Sequence, residues 1–144
     1  MKNILEHELL DILNGKISSA INRTLLRSFT MENIDITPEQ WSVMACLWNK
    51  DKVTQQSLCK LTSKDKPSIT RLLDKLEKRN YVVRVSDPTD RRINLIHLTV
   101  AGAELQKKAS EIIQLVIETT LSDITEEEMN FFREILKKIL INLK

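Results

Sequence analysis

Only two glycines and three prolines interrupt the 144 residues of this chain. Because these two residue types most often end helices and build turns, their scarcity favours long helices over a loop-rich or all-β fold. Hydrophobic residues make up 42% and charged residues 29%, which is typical of a soluble globular protein. The length suits one domain. The sequence therefore predicts a single, mainly helical domain over residues 1–144.

Apolar residues recur at steps of three and four towards both ends of the chain, which predicts amphipathic helices there. The first should run from about Ile4 to Met31, and Gly15 inside it should weaken that helix by about 1 kcal/mol without interrupting it. Two more helices should follow Thr99 and Thr125, because threonine can accept hydrogen bonds from the free backbone N–H groups of a first turn.

Three shorter helices are expected in the middle of the chain. Thr37 and Gln40 have the spacing of a capping box around Pro38, which suits a first helical position. Thr54 should begin the second of these helices, and the third should begin near Asp65 or the next residue.

The apolar periodicity then changes. Residues 81–85 and 93–98 are rich in β-branched residues and predict two strands, joined by a turn at Asp87–Asp90. A pair of short helices followed at once by a β-hairpin is typical of a winged helix-turn-helix lobe, expected over residues 36–99.

Positive charge is concentrated in the same region. Residues 40–103 hold twelve lysines and arginines against six acidic residues, whereas each flanking segment has two more acidic than basic residues. A basic stretch between acidic helices indicates a protein that binds the phosphate backbone of nucleic acid. A lysine-rich surface that is merely solvated is the alternative.

The third short helix should carry the sequence-reading residues. Opposite its apolar stripe, Ser68, Thr70 and Arg71 are expected to face base edges, while lysines beside them lie closer to phosphates. On the hairpin turn, an arginine can enter a narrow minor groove, and Asp90 is expected to accept a hydrogen bond from Arg92 and hold it extended. The predicted DNA-contacting residues are Lys66, Pro67, Ser68, Thr70, Arg71, Lys75, Asp90, Arg91 and Arg92.

These segments together resemble the MarR family of multiple-antibiotic-resistance-type regulators. The segments that carry the resemblance are Leu58–Leu61, Ser68–Glu77, Asp87–Arg92 and Leu98–Gly102. The family's Asp-x-Arg followed by Leu-Thr-x-x-Gly maps onto Asp90, Arg92, Leu98, Thr99 and Gly102. The resemblance implies a homodimeric regulator, expected to be a ligand-responsive repressor, that binds a pseudo-palindromic operator in double-stranded DNA. It also implies a small phenolic or amphipathic effector, in a cleft near Trp41, Met44 and Trp48, although each of these, taken singly, is more often a core residue.

Self-association also has an argument from the residues. Leucines cluster at Leu9–Leu13 and two phenylalanines are adjacent at Phe131–Phe132, more than one helix can bury against a single small core. A second subunit is the simplest way to cover them. Residues 1–35 and 100–144 are therefore expected to be dimerisation helices.

Other functions find little support in the sequence. It has no nucleophile elbow or glycine-rich phosphate loop, so neither an enzyme nor a bound cofactor is expected. Neither Cys46 nor Cys59 stands at metal-ligand spacing from His7 or His97, so no metal is expected. The cysteines are expected to be buried thiols, with a redox switch as the alternative.

The expected location is the cytoplasm. Acidic residues stand near the N-terminus where a signal peptide would have its apolar run. No stretch approaches the ~20 apolar residues that span a bilayer, so no membrane partner is expected.

A helical dimer that binds a protein partner instead of DNA is the alternative function, and a salt-titrated DNA shift separates the two.

Overall fold

The computed structural model describes residues 2–144, with side chains from Glu6 onward, so the side chain of Ile4 lies outside the described part. The helices are α1 (Lys2–Asp11), α2 (Ile17–Met31), α3 (Pro38–Asn49), α4 (Gln55–Thr62), α5 (Lys66–Lys78), α6 (Val100–Thr120) and α7 (Glu126–Asn142). The strands are β1 (Val53–Thr54), β2 (Val82–Ser86) and β3 (Asn94–Leu98). The predicted fold class, mainly α with a small hairpin after two short helices, is confirmed.

Polar caps begin the helices where the sequence predicts them. The Thr37 hydroxyl accepts a hydrogen bond from the Gln40 backbone N–H at 3.1 Å, and the Gln40 side chain accepts one from the Thr37 N–H at 3.0 Å. Thr125 and Glu128 form a second such box. The side chains of Thr54, Asp65 and Thr99 each accept from the backbone N–H three residues further on.

The prediction of one continuous helix from Ile4 to Met31 is wrong. The chain leaves helical geometry at Asn14 and Gly15, so that two helices meet at a kink within Ile12–Lys16. Gly15 has φ +133°, which a residue without a Cβ adopts at little cost. A Cβ there would meet nothing within 4 Å, so backbone conformation and not crowding favours glycine. Glycine costs little inside a helix, but its freedom to adopt positive φ also lets the helix end there.

The hairpin belongs to a three-stranded antiparallel sheet in the order β1-β3-β2. Val82 pairs with Leu98 between β2 and β3, and Val53 pairs with Ile96 between β1 and β3. The hairpin itself was predicted within one residue at each strand's bounds. Strand β1 was missed, because two residues are too short to show an alternating pattern.

The hydrophobic core lies where α2 and α6 meet the helices and sheet of the central segment. Its fully buried members include Phe29, Met44, Leu47, Leu58, Ile69, Leu73, Leu76 and Ile96. By contrast, α7 has no buried residue, and the described side chains of α1, from Glu6 to Asp11, are all exposed. The terminal helices therefore extend away from the core of their own subunit.

Gly102 shows why the start of α6 requires a glycine. A Cβ at this position would collide with the backbone carbonyl oxygen of Tyr81. The Gly102 carbonyl accepts a hydrogen bond from the Trp48 indole N–H at 2.9 Å. This close approach lets α6 begin directly against α3 and the loop before β2.

Within the described residues, no helix is both long and apolar enough to cross a membrane.

Candidate nucleic-acid interface

Helix α5 presents a polar face opposite a buried apolar one. Its inward residues are Ile69, Leu72, Leu73 and Leu76, all buried. Lys66, Pro67, Arg71 and Lys75 are exposed, and Ser68 is half-buried. The Asp65 carboxylate caps the helix by accepting from the Ser68 backbone N–H at 2.8 Å. That hydrogen bond, with a second from the Ser68 hydroxyl, holds the pKa of Asp65 below its ordinary value.

Two of the three predicted base-facing residues contact each other. The Arg71 guanidinium donates to the Ser68 hydroxyl oxygen at 3.3 Å, one turn earlier on α5. Arg71 has five N–H donors, so this single bond leaves most of them available to a ligand. The pair lies on the first two turns of the helix, the part that usually enters the major groove.

Thr70 is more enclosed than the sequence suggested. It is half-buried, and its hydroxyl oxygen accepts a hydrogen bond from the Gln55 side-chain amide of α4 at 2.6 Å. The predicted outward orientation is therefore only partly realised, because the hydroxyl helps to hold α4 against α5.

The turn between β2 and β3, residues 87–93, is called the wing turn from here on. Asp87 accepts hydrogen bonds from the hydroxyl and backbone N–H of Thr89, at 2.6 and 2.8 Å. The pKa of Asp87 is lowered by these bonds, the hydroxyl contributing most. Asp90 accepts from the backbone N–H of Arg92 at 3.0 Å. Both carboxylates thus organise the turn.

The predicted contact from Asp90 to Arg92 forms with a different donor. The predicted donor was the Arg92 guanidinium, whereas the donor in the structure is the Arg92 backbone N–H. A short carboxylate side chain reaches the N–H two residues on without ordering a long side chain, which is the usual Asx turn. The side chains of Arg91 and Arg92 are exposed.

A cleft of about 500 Å³ lies between the first turn of α5 and the wing turn. Three cationic residues, Lys64, Lys66 and Arg92, line it together with the acidic Asp65, with Ile93, and with residues of α4 that include Gln55 and Cys59. The structure thus brings the two predicted basic elements to one cleft. Lys64 was not among the predicted residues, because it precedes the helix cap and belongs to no periodic pattern.

Arg84 on β2 is a further residue that the sequence analysis missed. Its guanidinium donates to Asp74 at 2.7 Å, to Glu77 at 3.5 Å and to the Thr70 carbonyl oxygen at 3.2 Å. Its side chain is 20% exposed. An arginine among the valines of a predicted strand was the available signal.

Arg79 connects the end of α5 to the loop before α3. Its guanidinium donates to the backbone carbonyl of Asp35 at 2.8 Å and to the Gln40 side-chain oxygen at 2.9 Å. It also pairs with the Asp35 carboxylate at 3.2 Å. Gln40, 2% exposed, therefore serves both the cap of α3 and the end of α5.

The three predicted effector residues occupy different environments. Met44 is fully buried in the core, and the Trp48 indole is hydrogen-bonded to Gly102. Trp41 is half-buried and borders an apolar groove of about 210 Å³. Its other lining residues are Ile21, Leu25, Ile113, Val116, Ile117, Thr120 and Leu121. Of the three predicted effector residues, Trp41 alone borders this groove. The effector site stays a prediction.

Neither cysteine is as buried as the sequence analysis expected. Cys46 and Cys59 are both half-buried and carry free thiols. Burial raises the pKa of the Cys46 thiol, which lowers the fraction present as reactive thiolate. Among the described residues, no three His, Cys, Asp or Glu side chains are grouped to hold a metal ion.

Comparison with known proteins gives a consistent result. A model of the MarR family matches residues 36–93. The multiple antibiotic resistance protein MarR of Escherichia coli K12 is 28% identical over 133 residues, which cover 92% of this chain and 88% of MarR.

Two solved structures extend the likeness to the fold. The MepR–DNA complex of S. aureus has a TM-score of 0.86 at 28% identity, covering 94% of this chain and 98% of that one. A MarR variant from E. coli complexed with operator DNA has a TM-score of 0.84 at 27% identity, covering 94% and 96%.

Proposed function

We propose that this chain, a DNA-binding transcriptional regulator of the MarR family, binds a pseudo-palindromic operator as a homodimer. The observation that carries this proposal is the cleft between α5 and the wing turn, with Lys64, Lys66 and Arg92 around it. A DNA backbone passing between a major groove filled by α5 and a minor groove entered by the wing turn fits such a cleft.

The dimensions of α5 suit the major groove. Its 13 residues span about 20 Å at 1.5 Å per residue, and the groove, about 12 Å wide, admits one helix. In this arrangement Ser68, Thr70 and Arg71 read base edges. Lys66, Pro67 and Lys75 lie along the phosphates, and Arg91 and Arg92 follow the minor groove, with Asp90 holding the turn.

The homodimer is supported by the terminal helices. The exposed large apolar residues of α1, α7 and the turn between α1 and α2 include Leu9, Leu10, Leu13, Phe131, Phe132, Ile135, Leu140 and Ile141. So many exposed large apolar side chains on the terminal helices indicate an association face. The same helices of a second copy would cover it and set two α5 helices about 34 Å apart, one turn of DNA.

Structures of two relatives contain DNA, the MarR variant with operator DNA and MepR. They favour DNA over a protein as the partner of this chain. Because a transcriptional regulator acts where the chromosome is, we place the protein in the cytoplasm. We also expect no catalytic activity, since its role is to bind DNA. An amphipathic or phenolic effector that relieves repression would lie in the groove beside Trp41, since Met44 is fully buried.

The decisive experiment is a DNA shift with the purified protein on a random-sequence duplex, titrated with salt. The logarithm of the binding constant should fall linearly with the logarithm of salt concentration, because Lys and Arg displace counterions from phosphates. Selection from random duplexes should then recover a two-fold symmetric site. Absence of binding at low salt would contradict the proposal.

A further inference from the structure

One acidic residue lies where a DNA-binding helix should be positive. Asp74 faces outward on α5, between Arg71 one turn before it and Lys78 one turn after it. Its side chain is 60% exposed, and Glu77 beside it is 43% exposed. An unpaired carboxylate here would repel the phosphates that the neighbouring cations attract.

Arg84 of strand β2 forms an ion pair with this carboxylate. Its guanidinium contacts Asp74 at 2.7 Å and Glu77 at 3.5 Å. The second Glu77 carboxylate oxygen accepts a hydrogen bond from the Arg84 backbone N–H at 3.2 Å. Glu77 is therefore held by both the backbone and the guanidinium of Arg84. The same guanidinium donates to the Thr70 carbonyl at 3.2 Å. A planar fork with several fixed donors suits these acceptors, and a lysine ammonium does not.

We propose that Arg84 is a positioning residue of the DNA interface, which neutralises Asp74 and Glu77 and holds the β2 strand against α5 without touching DNA. Three observations point this way: the guanidinium has its bonds on α5, its side chain is largely covered, and the carboxylates it meets are exposed. This inference rests on the proposed function, because neutralising α5 has a purpose only if phosphates approach it.

The test compares binding to a random-sequence duplex over a series of salt concentrations. Arg84→Gln should weaken binding about tenfold at low salt, and the loss should shrink at higher salt, because salt screens the exposed carboxylates. Adding Asp74→Asn and Glu77→Gln to that variant should restore binding at least to the original level, because the exposed carboxylates are then gone. Arg84→Lys should lie between the unaltered protein and Arg84→Gln.

A matched control separates local neutralisation from net charge. Glu111→Gln with Glu118→Gln removes two exposed carboxylates on α6 and should not restore binding to the Arg84→Gln protein. Restoration by the α6 pair would overturn the proposal.

Other outcomes also decide the matter. If Arg84 contacted a phosphate itself, the α5 substitutions would not restore the binding that is lost with the arginine. Should Arg84→Gln unfold, the Asp74→Asn, Glu77→Gln protein keeps the arginine and should bind several-fold more tightly than the unaltered chain; equal or weaker binding contradicts the inference. Failure of the unaltered protein to bind any duplex would instead refute the proposed function.

Discussion

Arg71 and Lys75 lie one turn apart on the exposed face of α5, and their substitution should separate base reading from phosphate contact. Arg71→Ala should cost about 1–3 kcal/mol on a selected operator and relax the preference at one base pair per half-site. Lys75→Ala should weaken binding to all sequences alike and lower the salt slope by about one unit. Shifts on the selected and random duplexes measure both. An equal loss on both duplexes for Arg71→Ala would mean that it contacts only phosphate.

The wing turn allows a second test at the scale of single residues. Asp90→Ala should weaken DNA binding although it makes the protein more positive, because the carboxylate that holds the Arg92 backbone N–H is lost. Arg92→Lys should also weaken binding, since lysine keeps the charge but lacks the planar fork. Glu111→Ala, which removes an exposed acid on α6, is the control. Tighter binding by the Asp90→Ala protein at moderate salt would show that the turn contributes charge only.

At the scale of elements, the break between α1 and α2 sets the direction of the N-terminal arm. Gly15→Ala should destabilise the protein by about 1 kcal/mol or more, because φ +133° is strained for a residue with a Cβ. Ser19→Ala, at an exposed position within α2, should be neutral or slightly stabilising. Urea unfolding of both variants measures the difference. A Gly15→Ala protein as stable as the Ser19→Ala protein would indicate that the break is not required.

The cap of α5 connects one element to pH. The pKa of Asp65 is lowered in the folded protein, first by the Ser68 backbone N–H. Its stabilisation is therefore present above the ordinary carboxyl pKa and is lost as pH falls through the lower folded value. Asp65→Ala should reduce the free energy of unfolding at neutral pH, with a smaller difference in acid. Urea titrations at the two pH values check this; a difference that is constant with pH would refute the ionised cap.

At the scale of the whole molecule, assembly should depend on the exposed apolar faces of the terminal helices. Light scattering should give twice the 16.7 kDa chain mass at micromolar concentration. Phe131→Glu with Phe132→Glu should shift the protein towards monomer, because charges cannot be buried in an apolar interface without a partner. Leu61→Glu, at an exposed apolar residue of α4, should leave the dimer intact. A monomeric unaltered protein would contradict the proposed assembly and, with it, the two-fold symmetric operator.

The sequence alone determined the features that depend on neighbours within one or two helical turns. Caps such as Thr37 with Gln40 join residues three apart, so reading the chain in order was enough to place them. The buried stripe of α5 and its exposed cations followed from the same short periodicity, as did the hairpin and the basic middle of the chain.

Tertiary structure decided the contacts between residues that are distant along the chain. Arg84 meets Asp74 across ten residues, Arg79 meets Gln40 across 39, and Trp48 meets Gly102 across 54. No local pattern selects such partners, because their distance depends on how α5, the sheet and α6 pack together. The short strand β1 also exists only because β3 lies beside it. The sequence could therefore predict the basic face of α5, while packing alone determined which charges near that face are paired with Arg84.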